Sequence, residues 1–170
     1  PFMEDIMKSK TQEKTYTKWK TEFHYEDKVF FSLTSNTFLV QMTGGSVIIK
    51  DLRTGNEIKR FKGYNYLYTG DVKPDESELF ALENGKHFYI FSLEDYSVRK
   101  RVTLPRNYES IDVCGMYSAD GAYLYVPIQK YEKEAYGYWL CKYETESYSL
   151  LGMERISDIE EFSWPQWWVI

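Results

Sequence analysis

A local pattern that returns at near-constant spacing limits how this chain folds more than any other feature. Its middle copy is the clearest: an apolar and aromatic run at 66–72, a turn around Pro74 and Asp75, and a second run at 78–82. Asn84-Gly85 follows, a dipeptide suited to positive φ at both central positions of a tight two-residue hairpin. A third run at 87–93, a turn at 94–96 and a fourth run at 97–104, closed by Pro105, complete the unit. Apolar and aromatic runs of this length, bounded by turn residues, predict strands.

The third copy covers 111–117, turns through 118–121 and continues at 122–126 and 138–143. The first has runs at 24–33, 37–42, 47–52 and 57–61, with Thr43-Gly44-Gly45 as its hairpin turn. Leu52 maps to Leu93 at an offset of 41, Leu79 to Leu124 at 45, and Phe88 to Tyr138 at 50, so about five residues are inserted in the third copy. That insertion is expected on a connection between strands two and three. Aromatics make up 18% of the chain, with 16 Tyr, a bias toward residues that suit pleated, half-buried surfaces. No run carries 3.6-residue periodicity with caps, so a helical repeat is set aside.

Four strands per repeat and a period of about 40–50 residues predict the blades of a β-propeller rather than a generic antiparallel sandwich. The reading is all-β: a partial β-propeller of three four-stranded antiparallel blades, at about 24–61, 62–105 and 106–153, within one propeller region over 1–170. Incomplete blades are expected at both ends, 11–20 and 154–170. Open sheet edges at those ends predict either an oligomer or another segment that completes the sheets.

The run Val47-Ile48-Ile49-Lys50-Asp51-Leu52-Arg53-Thr54-Gly55 resembles the end of a WD-repeat blade, where a third strand closes on an aromatic-Asp pair and a Thr-Gly turn leads outward. The turns at Pro74-Asp75 and Ser118-Ala119-Asp120-Gly121 resemble the Ser-Pro-Asp-Gly turns of YVTN-like propellers. The resemblance covers about 24–153 and implies the propeller architecture. Its motifs are degenerate: Lys50 stands where the WD-repeat pattern prefers Trp, Ser92 and Lys142 stand at the positions equivalent to Asp51, and the Gly-His pair is missing.

Clustered chemistry is sparse. His24 and His87 fall in different blades, where neither is placed to activate a nucleophile or join a metal site. Asp75 and Asp120 occupy equivalent turns and are expected to cap their own backbone amides. Cys114 and Cys141 lack zinc spacing and are expected to act as small core hydrophobes. No cofactor is predicted. A formal charge of −5 argues against a nucleic-acid partner, and no apolar run approaches the ~20 residues needed to span a bilayer. Cytoplasm is the default compartment; periplasm or cell surface stays open because the sequence starts at Pro1 rather than Met.

Two segments are the candidate binding elements. The insertion mixes aromatic and charged residues, with Lys130, Tyr131, Lys133 and Tyr136 as contact candidates, although a plain extended hairpin is the simpler reading. The end of the chain gathers Trp164, Trp167 and Trp168, a large apolar patch if left in water. The expected function is a noncatalytic binding module for protein or peptide partners. The alternatives are a propeller domain of a larger enzyme and an extracytoplasmic sensor of small ligands.

Overall fold

The computed structural model describes residues 29–111 and 115–156. Among them every regular element is a strand, and the strands form three antiparallel sheets. The first sheet orders β1 (Val29–Thr34), β2 (Phe38–Thr43), β3 (Ser46–Asp51) and β4 (Glu57–Lys62) as a simple meander. The second repeats it with β5 (Leu67–Val72), β6 (Glu78–Glu83), β7 (His87–Ser92) and β8 (Val98–Thr103). The third contains β9 (Glu109–Ser110), β10 (Met116–Tyr117), β11 (Tyr123–Glu132), β12 (Ala135–Glu144) and β13 (Leu150–Ile156).

Side-chain alternation decides how the sheets stack. Every residue of β6 is buried, because its two faces meet different neighbours. Leu79 and Ala81 join Val40, Met42, Val47 and Ile49 of the first sheet in one core. Phe80 and Leu82 join Leu124, Val126, Cys141 and Tyr143 of the third sheet in another. The first strands of the sheets come closest, and Gly70 on β5 is a point of contact: a Cβ there would collide with the Met42 side chain and the Phe80 carbonyl. The fourth strands face outward, and β8 is almost wholly exposed. Burial therefore falls from inner to outer strand.

The repeat extends to irregularities. Ile58, Arg99 and Leu151 are each the extra residue of a bulge between the third and fourth strands of their sheet. Phe30 and Tyr68 mark an equivalent irregularity in the first strands of sheets one and two.

Two local expectations are corrected. At Asn84-Gly85 only Gly85 takes positive φ (123°), so this is not the two-residue turn expected. The Asn84 amide instead donates to the Asn65 and Tyr66 carbonyls, a tertiary tie that local propensity does not encode. In the third sheet Ile111 and Gly115 lie outside the inner strand expected at 111–117, whose described pieces pair in different registers: β9 with Ile128 and Gln129, and β10 with Leu124 and Tyr125. The insertion is the plain extended hairpin of the simpler reading, since β11 and β12 stay paired all the way to Glu132 and Ala135.

Residues 154–156 belong to β13 and end the third sheet. The rest of the expected incomplete blades, along with His24, Cys114, Trp164, Trp167 and Trp168, lies outside the described residues.

Candidate functional site: the long hairpin of the third sheet

In a meander of this kind the β2–β3, β6–β7 and β11–β12 turns share one end with the connections between sheets. Backbone bonds tie that end together: Gly63 and Tyr64 amides donate to the Gly45 carbonyl, and the Ser110 amide to the Gly85 carbonyl. The third hairpin stands out there because β11 and β12 have ten residues each, whereas β6 and β7 have six.

Tyr131 and Tyr136 sit directly opposite each other near the tip, ring centroids 5.2 Å apart and edge to face. They remain 60% and 47% exposed, so the pair is ordered by its own contact and still open to a partner. Lys133 occupies the turn with φ 55°, a left-handed conformation that turns the chain without a glycine.

On the other face Lys130 lies over the Tyr108 ring at 5.6 Å, and the Arg155 guanidinium over Trp139 at 5.2 Å. Glu132 stands between them, 3.6 Å from Lys130 Nζ and 3.4 Å from Arg155 Nη2. Gly137 is required beneath this layer, because a Cβ would approach Trp139 Cη2 to 2.6 Å. An open hollow of about 580 Å³ surrounds the tip, lined by Lys130, Tyr131, Lys133, Tyr136 and Arg155 among others. The four contact candidates of the insertion therefore come together at one place. Arg155 and Trp139 complete the surface and were missed by sequence reasoning, because they belong to the regular ladder and are brought in by the pairing of β12 with β13.

The opposite end is built differently. Asp75 accepts from the Ser77 amide at 3.0 Å and Asp120 from the Ala122 amide at 3.0 Å, the self-capping expected of turn aspartates. Glu76 reaches across to the first sheet and accepts from the Asn36 amide at 2.6 Å and the Thr37 hydroxyl at 2.6 Å. Burial alone would push its carboxyl up; hydrogen bonds from Thr37, Ser35 and Asn36 together outweigh that and hold it below the usual range. The Glu144 carboxyl drops to about 2 through hydrogen bonds from Ser147 and Ser149.

Between sheets two and three lies a buried polar cluster. The Tyr148 hydroxyl donates to Glu78 Oε2 at 2.5 Å and lies 2.9 Å from the Tyr117 hydroxyl. Arg99 pairs with Glu78 Oε1, and Lys73 Nζ is 3.6 Å from Oε2. The Tyr117 amide donates to Asp71 Oδ2 at 2.9 Å. With both carboxylate oxygens of Glu78 engaged, the cluster joins two sheets rather than presenting a base. Cys141 is buried in the second core, and its thiol is pushed up to about 12 by that burial, as expected of an inert core cysteine. Among the described residues no helix is long and apolar enough to cross a membrane, and no His, Cys, Asp and Glu group is placed to hold a metal.

No family model and no curated protein matches this chain. Solved structures share its fold. Hydrazine synthase of Kuenenia stuttgartiensis superposes with a TM-score of 0.64 at 15% identity, over 85% of this chain and 40% of that one. The structure of U3-55K gives 0.61 at 9% identity, over 78% of this chain and 40% of that one. The WD40 repeats of RRP9 give 0.61 at 10% identity, over 78% and 39%. The chain thus spans about two fifths of the length of the solved chains it matches. At these identities the likeness shows the fold: the three sheets are propeller blades of WD-repeat-like, degenerate kind.

Proposed function

We propose that this propeller segment is a noncatalytic scaffold that binds a protein or peptide, with the long hairpin of the third sheet as its contact element. One observation carries the reading. At the end where the other hairpin turns are tied down, β11 and β12 project further and hold an exposed, mutually packed tyrosine pair among cations. Tyrosine offers large contact area with little rotamer entropy to lose, which suits a preformed binding surface.

The test is fluorescence anisotropy of a labelled peptide panel against the full chain and against the Tyr131→Ala/Tyr136→Ala variant. Binding in the micromolar range, weakened about tenfold or more in the variant with an unchanged thermal transition, is the expected result. Turnover of a hydrolase or redox substrate that disappears on changing one titratable residue overturns the reading.

A second reading has one observation behind it. Hydrazine synthase is among the similar structures, and the chain spans 40% of it, so the segment is alternatively a propeller domain of a larger enzyme. That reading predicts a catalytic motif elsewhere in the parent open reading frame, whereas further degenerate blades favour the scaffold.

A further inference from the structure

The chain is acidic as a whole, yet its charges are sorted by end and by how they are satisfied. At the Asp-turn end the carboxylates are consumed locally. Asp51 accepts from Thr54, Asp75 from Ser77, Asp95 from Ser97, Asp120 from Ala122 and Glu144 from Ser147. A carboxylate that caps its own turn has little left to offer a ligand.

The hairpin end has the reverse pattern. Lys62 closes β4, Lys86 sits in the β6–β7 turn, Arg106 in the connection between sheets two and three, and Lys133 at the hairpin tip. All four are exposed, and none has a carboxylate partner among the described residues. The carboxylates nearby are mostly committed: Glu83 accepts from the Asn65 amide and Tyr89, Glu109 from Gln129, and Glu132 is shared by Lys130 and Arg155. Glu134, next to Lys133 at the tip, has no ion-pair partner among the described residues. Uncompensated cations thus frame the end from which the tyrosine pair projects.

We infer that this end takes an acidic peptide segment of a partner protein, its carboxylates meeting Lys62, Lys86, Arg106 and Lys133 and its apolar side chains packing on Tyr131 and Tyr136. The inference rests on the scaffold reading above and adds the chemistry of the partner. A peptide fits better than a nucleic acid for two reasons. A polyanion would be repelled by the net charge of −5, whereas a short segment feels mainly the local cations. Tyr131 and Tyr136 pack edge to face on each other rather than standing as separate platforms for stacked bases.

The test uses three labelled peptides of equal length and identical apolar residues, carrying Glu and Asp, Gln and Asn, or Lys and Arg at the remaining positions. Anisotropy is recorded with the full chain, with Arg106→Glu/Lys133→Glu, and with Tyr131→Ala/Tyr136→Ala. The acidic peptide is expected to bind about tenfold or more tightly than the neutral one and to weaken severalfold on raising the salt, because exposed charges are screened. Charge reversal should erase that preference without moving the thermal transition.

Equal affinity for acidic and neutral peptides, both lost in the tyrosine variant, overturns the acidic preference and leaves the scaffold standing. Failure of all three peptides at high concentration counts against the scaffold itself. A single-stranded oligonucleotide that binds more tightly than the acidic peptide makes this a nucleic-acid surface and overturns the inference.

Discussion

Sheets two and three follow one plan and differ in what they do with it. In the second, β6 is buried on both faces and both hairpin strands stop after six residues, tied to their neighbours by backbone bonds. In the third, the same two strands continue for four more residues each, and of the extra residues only Gly137 is buried, the others being half-buried or exposed. The comparison teaches that the blade is completed by its first six-residue rungs. Material added beyond them is free to change without disturbing the cores, and is therefore available for recognition.

The largest effect should come from the shared core. Phe88 packs on Phe80 at 5.4 Å and on Tyr143 at 5.1 Å, bridging the two sheets. Phe88→Ala is expected to destabilise by about 3–5 kcal/mol, read by denaturant unfolding, because the cavity opens between packed sheets that relax only in part. A loss below about 1 kcal/mol would mean that the sheets do not depend on each other.

Next in size is the polar cluster that joins the same two sheets. Tyr148→Phe removes the donor to Glu78 Oε2 and is expected to cost about 1–3 kcal/mol, since a buried acceptor loses a partner. Arg99→Met removes an exposed guanidinium from the buried Glu78 and leaves Lys73 Nζ 3.6 Å from that carboxylate, so its cost is expected to fall in the same range of about 1–3 kcal/mol. Both are read by the shift in unfolding midpoint.

The cores also set an alkaline limit. Burial raises Cys141 to about 12, and burial, against the lowering effect of the Tyr117 hydrogen bond and the Arg99 charge, raises Tyr148 to about 12. A group raised on folding contributes stability that is fully present below its unfolded value, about 8.5 for Cys and about 10 for Tyr, and is lost as pH rises through the folded value. Unfolding is therefore expected to begin between pH 9 and 12, and tyrosinate absorbance should rise together with the loss of near-ultraviolet dichroism. At the acid side Glu76 is depressed on folding, so its contribution is present above about pH 4.3 and falls away as pH drops further; its partial exposure to solvent keeps that effect small.

The smallest effect on stability is expected where the two sheets differ. Deleting residues 131–136 and joining Lys130 to Gly137 through Asn-Gly gives the third sheet a short hairpin like that of the second. Stability should change by about 0.5 kcal/mol or less, because the removed rungs cover little core, while peptide binding is lost. Loss of cooperative unfolding would show that the tip supports the blade after all.

Much of this was legible in residues alone. Short apolar and aromatic runs at 78–82 and 87–93, the turn aspartates Asp75 and Asp120, and the recurrence of the unit at 41 to 50 residues specify meander sheets, because strand length and turn chemistry are local properties. The tip residues Lys130, Tyr131, Lys133 and Tyr136 could be singled out as an insertion, since a repeat exposes whatever departs from it. What stayed hidden depends on contacts between distant segments. Arg155 and Trp139 join the tip only through the β12–β13 register, and Asn84 departs from its expected turn because its amide meets the Asn65 and Tyr66 carbonyls. Glu78, Tyr148 and Arg99 meet only when two sheets stack. Local sequence sets the strand and the turn; which face is covered, which charges are satisfied and which end is left open are decided by packing, whose partners lie tens of residues away.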